Sequence, residues 1–171
     1  MNSQPNPYEE NWPVLKDIFE SDGAEALVTS ITSRTELLER RALFLMSSQR
    51  ISRGQDLARN LDDVITISRA AIDEFHHQST IDDEPEQARL RLEGANILSY
   101  NLAADLAPCW VDDDEIREKR HFEEGFRCAQ DCIGWREQLE KGAVALSMAW
   151  WAEGVHNAGL GRWGLACRSF Q

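Results

Sequence analysis

Apolar residues recur along this chain at steps of three and four rather than in alternation, and the steps break at glycine, proline and short polar runs. From Glu10 to Glu20, Trp12, Leu15, Ile18 and Phe19 form a short amphipathic stripe, with Pro13 in the first turn, where its missing N–H costs nothing. Asp22 with Glu25 has capping-box spacing and predicts a second short helix through Ser30. Ser33 with Glu36 repeats that spacing and opens a third, in which Leu37, Leu38, Ala42, Leu45 and Met46 continue to about Ser52. Arg53-Gly54-Gln55 reads as a turn. The next helix, Asp56 to about His76, has the cleanest period in the chain: Leu57, Leu61, Val64, Ile65, Ser68, Ala71, Ile72 and Phe75 share one side.

The second half continues the pattern. His76 to Asp83 is a polar connector, and Pro85 suits a helix start. From Glu86 to Ala107 the apolar positions occupy more than one side, which predicts a central helix flanked by two neighbours. Pro108 to Asp114 reads as a long, protruding acidic loop. Asp112 with Glu115 is expected to cap the helix that carries Phe122, Gly125, Phe126, Ala129, Cys132, Ile133 and Leu139. A helix from Gly142 to Asn157 places Val144, Met148, Trp151 and Val155 in a stripe. Ala158-Gly159-Leu160-Gly161 breaks it, because glycine supplies the left-handed residue that closes a helix, and a last short helix runs from Arg162 to Phe170. The predicted fold class is all-α.

The closing stretch, Ser147 to Phe170, carries a finer signal. Trp150, Gly154, Gly161, Trp163, Ala166 and Phe170 fall at the spacing of one repeat of the tetratricopeptide family, and residues 147–170 are similar to such a repeat. Gly154 and Ala166 are expected to let the two helices approach while Trp150, Trp163 and Phe170 fill the flanks. Tyr100-Asn101-Leu102-Ala103-Ala104 resembles the first helix of another repeat, with Ala103 at the close-packing place. The resemblance implies antiparallel hairpins stacked as a short right-handed superhelix of about six to eight helices. Residues 1–9, polar and with two prolines, are expected to be flexible, and the resemblance implies a single domain over 10–171: capping helices at 10–32, then hairpins at 33–77, 84–139 and 141–171. In such a stack the first helix of each hairpin lines a groove. That places Ile97, Tyr100, Asn101 and Ala104, with Met148, Trp151 and Val155, as the residues expected to bind a protein or peptide partner. Family members that grip a terminal carboxylate use lysine and arginine where Met148 and Ala152 stand here; only Asn101 matches, so that clamp is expected to be absent.

Charge narrows the partners. The formal net charge is −12, so a nucleic-acid partner is not expected, since phosphate binding needs a basic footprint. Arg34, Arg40, Arg41, Arg50, Arg53 and Arg59 form a local exception, expected to pair with acids such as Glu36 and Glu39 rather than to hold an anion. The start of the chain has no basic, apolar leader and no stretch is long enough to span a bilayer, so a cytoplasmic setting and no membrane partner are expected. Four cysteines, Cys109, Cys128, Cys132 and Cys167, are then expected as reduced thiols.

Candidate chemistry is thin. Glu74/His77, Glu118/His121 and Glu153/His156 share the Glu-x-x-His spacing that a di-iron bundle uses, but their contexts predict solvated surface pairs. His121, Cys128 and Cys132 project from one side of one helix and could take zinc with Cys109, Cys167 or His156; the absence of a Cys-x-x-Cys knuckle argues for buried structural thiols. There is no nucleophile elbow, phosphate loop or dinucleotide fingerprint. The sequence therefore predicts no catalytic residue, no metal and no cofactor. Its leading reading is a non-enzymatic helical-repeat scaffold, with a small helical-bundle enzyme or metal-binding protein as the alternative. The apolar face of the last helix adds an expected homodimer through the C-terminal helices.

Overall fold

The computed structural model describes residues 8–109 and 114–171. A 3₁₀ turn at Glu9–Asn11 leads into α1 (Trp12–Asp22), α2 (Ala24–Thr32), α3 (Leu37–Ser52) and α4 (Leu61–Ile81), followed by α5 (Pro85–Asp105), α6 (Lys119–Gln138), α7 (Ala143–Gly159) and α8 (Trp163–Ser169). The described residues are thus all-α, with eight α-helices packed mainly on their sequence neighbours, as in a generic helical-repeat arrangement. The chain forms two compact units, the first ending at Glu74 and the second running from Phe75 to Gln171, with the boundary inside α4.

In the first unit α1 packs on α2 and α2 on α3. Trp12 and Leu15 of α1, Leu27 and Ile31 of α2, Leu43, Phe44 and Ile51 of α3, and Val64, Ile67 and Ile72 of α4 are buried. Three arginines of the arginine-rich stretch are paired with carboxylates. Arg34 pairs with Glu39 at 3.7 Å, Arg40 with the buried Glu74, and Arg50 with Glu9 at 2.5 Å while lying over the Trp12 ring.

Several predicted helix starts move, each because a different group satisfies the end. Gly23, at φ +84°, joins α1 to α2 in place of an Asp22 capping box. The Ser33 hydroxyl turns back to the Ser30 carbonyl at 2.7 Å, and α3 begins at Leu37. Asp56 adopts φ +65°, which ends any helix there. Asn60 instead caps α4, its Oδ1 accepting from the backbone N–H of Asp62 at 2.8 Å and of Asp63 at 3.4 Å. α4 then runs to Ile81, absorbing most of the predicted connector, because Gln78 is buried. α6 starts at Lys119: the backbone N–H of Glu118 donates to His121 Nδ1 at 3.1 Å. Of the residues expected to cap it, Asp112 lies outside the described residues, as do most of the predicted acidic loop and residues 1–7 of the expected flexible N-terminus.

In the second unit α6 packs against α5 and α7, α7 also touches α5, and α8 packs on α7. Small residues let aromatic rings lie on backbone. A Cβ built on Gly125 would meet the His156 ring, one on Gly159 the Phe122 ring, and one on Gly154 the Phe170 ring, each within 2.5 Å. Ala166 is buried as expected, but Trp163 stands mostly in solvent and does not fill a flank, because α8 packs on α7 through Ala166 and the Phe170 ring. The α7–α8 reversal closes on Gly161 at φ +71°: Gly161 N–H donates to Ala158 O at 2.9 Å and Arg162 N–H to Asn157 O at 2.8 Å. α6 closes in the same way on Glu140, a side chain held at φ +56°.

Candidate binding surface

The residues expected to line a groove lie on α5 and α7, two helices that touch. On α7 the core face is built from Ala149, Ala152, His156 and Asn157. The large apolar residues are on other faces: Val144 is 78% exposed and Met148 41%, and Trp151 and Val155 are half-buried. On α5, Ile97 is 48% exposed, Asn101 is exposed, and Tyr100 and Ala104 are half-buried. None of the seven belongs to the fully buried core.

Tyr100 is held from beneath. Its ring packs on Cys132, Ile133 and Ala149, and the Arg136 guanidinium lies 4.7 Å from its centroid. Arg136 is itself buried. Its Nε donates to Asn96 Oδ1 at 3.1 Å and its Nη1 donates to the Ala145 carbonyl, so one cation ties α5, α6 and the first turn of α7 together. The Cys132 thiol donates to the same Asn96 oxygen at 3.2 Å, and burial pushes that thiol up to about 11. Burial likewise raises the Tyr100 phenol, with Arg136 opposing the shift.

Of the Glu-x-x-His spacings, Glu153/His156 is buried at both positions, while the other two have one buried member each, His77 and Glu118 being exposed as expected. Glu74, His121, Glu153 and His156 are all buried. Glu74 takes Arg40, while His121 closes the start of α6. Glu153 accepts from Gln130 Nε2 at 2.9 Å and Ser169 Oγ at 2.5 Å, tying α6, α7 and α8. His156 Nε2 donates to the Ala103 carbonyl at 2.8 Å, and its Nδ1 has no hydrogen-bond partner. Burial holds the imidazole below its ordinary range, with the Arg117 charge adding to the shift. Sequence periodicity missed these polar residues because Glu74, Glu153 and His156 are satisfied by partners on other helices and His121 by the backbone at the start of its own, which apolar spacing along a single helix cannot reveal. Among the described residues no group of three histidine, cysteine, aspartate or glutamate side chains is placed to hold a metal ion, and no helix is long and apolar enough to cross a membrane.

Beside this surface, α7 and the end of α8 enclose an open groove of about 540 Å³. Ala143, Leu146, Trp150, Trp151 and Phe170 make it predominantly apolar, and Arg168 stands at its edge. Trp150 and Arg168 also border a second, more polar hollow of about 400 Å³ that contains Glu153 and Asn157. No protein-family model, curated protein or solved structure matches this chain.

Proposed function

We propose that this chain is a non-enzymatic helical-repeat scaffold that binds a protein or peptide across α5 and α7, through Ile97, Tyr100, Asn101, Ala104, Met148, Trp151 and Val155. The observation that carries this reading is the inversion on α7. Alanine fills the core face while valine, methionine and tryptophan sit on exposed or half-exposed faces, an arrangement that suits an apolar contact surface. The hairpins α5/α6 and α7/α8 are then tetratricopeptide-like, with α5 and α7 as the groove-lining first helices. Four cysteines without a disulfide support a reducing, cytoplasmic setting.

The test is selection of a random peptide library displayed on phage against the immobilised chain. Enriched peptides should bind the wild type and weaken by about tenfold or more when Ile97→Glu and Met148→Glu are combined, since central contacts of this kind are worth about 2 kcal/mol each. Both side chains are substantially exposed, so the variant should keep its helix content by circular dichroism. A selection that enriches nothing, or peptides indifferent to the double substitution, overturns the proposal.

A further inference from the structure

The groove between α7 and α8 adjoins the α5/α7 surface, with Trp151 common to both, and its character suggests a distinct occupant. Two features define it. The first is continuity of packing. α7 lies against α6 and also touches α5, so it occupies the seat that the preceding helix pair offers. The α7/α8 pair offers the equivalent seat, and there Trp150 is 40% and Phe170 54% exposed, with Leu146 and Trp151 beside them. A helix is the shape that such a seat receives elsewhere in this unit.

The second feature is charge. Between Gly142 and Gln171 the only acidic side chain is Glu153, which is buried and held by Gln130 and Ser169. The remaining charged side chains there are Arg162 and Arg168, in a chain whose net charge is −12. Arg162 lies over the Phe126 ring, 5.3 Å from its centroid. Arg168, at the edge of the groove, forms no ion pair with any described residue. An apolar groove edged by an unpaired guanidinium matches an apolar helix with a flanking carboxylate. A second copy seated face to face would bring Arg168 against Arg168 with no exposed acidic side chain on α7 or α8 to separate them, which disfavours that pairing.

We propose that the α7/α8 groove docks an amphipathic helix of acidic character, with its apolar stripe against Trp150 and Phe170 and a carboxylate on Arg168. This proposal shares Trp151 with the α5/α7 reading and otherwise rests on different residues, Trp150, Arg168 and Phe170. Its test uses two synthetic 18-residue helices with the same leucine stripe, one with glutamate and one with lysine on the flanking positions, each fluorescein-labelled and titrated into the full chain by anisotropy. The expected result is tighter binding of the glutamate helix, weakened about three- to tenfold by Arg168→Glu and by raised salt, with Arg168→Glu improving the lysine helix. Phe170→Ala should weaken both helices, while Met148→Glu should leave the glutamate helix unaffected, which separates this site from the α5/α7 surface. Equal binding of the two helices, indifference to Arg168→Glu, or no binding overturns the proposal. So does light scattering that shows a wild-type dimer which Phe170→Ala dissolves, because a second copy then fills the groove.

Discussion

Gly125→Ala tests the packing on which the second unit depends. The added methyl would lie 2.1 Å from His156 Cε1 and 2.3 Å from Nε2, where ordinary carbon contacts need about 3.5 Å. The imidazole must therefore retreat by more than about 1 Å, in a site where it has no exposure and where its Nε2 bonds the Ala103 carbonyl at 2.8 Å. Overpacking costs about 1–3 kcal/mol and an orphaned buried donor about 1–3 more, against a helix-propensity gain of about 1 from alanine. The net expectation is a loss of about 1–5 kcal/mol, centred on about 3. Gly134→Ala is the matched control on the same helix: its methyl would meet nothing within 4 Å, so only the propensity gain remains, about 0.5–1 kcal/mol of added stability. Urea denaturation followed by circular dichroism reads both. Gly125→Ala should lower the midpoint by about 1–2 M, and Gly134→Ala should raise it slightly. Equal shifts for the two variants, or a Gly125→Ala midpoint at or above wild type, would refute the close approach of α6 and α7 through His156.

Three further outcomes follow from the same structure. His156 is held neutral in the fold while its unfolded pKa is about 6.5, so the unfolded state takes up the proton first as the pH falls. Its stabilising contribution should be intact above about pH 6.5 and decline below it, and urea midpoints at pH 7.5 and 5.5 should differ less in His156→Gln than in wild type. Glu140→Gly should stabilise by about 1 kcal/mol in thermal melts, because glycine removes the strain of a side chain at φ +56°; a lower melting temperature would contradict the left-handed closure of α6. With Ellman's reagent at pH 8, the exposed Cys109 and Cys167 should react quickly, and Cys128 and Cys132 only on unfolding. Rapid reaction of all four would place the buried pair wrongly.

The helices were most legible where apolar steps of three and four ran between clear breakers. α5, α7 and α8 fall within two residues of the sequence reading at each end, and Gly161 takes the left-handed conformation its neighbours require. The ends were less legible because several groups compete for the same backbone donors. Asp56 and Asn60 both suit a helix start, and the φ of Asp56 decides between them. Ser33 and Glu36 have capping-box spacing, yet the serine hydroxyl is taken by the preceding turn. At the candidate surface, periodicity located the α7 stripe. It did not show that Arg136 supports Tyr100, that Glu153 joins three helices, or that Arg168 stands unpaired beside an apolar groove, since each depends on contacts between helices.

Binding across α5 and α7 is reported directly by the methionines. The chain has three: Met1, Met46, which is buried in the first unit, and Met148 on the α7 stripe. With ¹³C-methyl methionine incorporated and a library-selected peptide titrated to saturation, the Met148 methyl resonance should shift while that of Met46 stays in place. A peptide that binds at saturation and leaves the Met148 methyl unmoved would contradict the assignment of this surface.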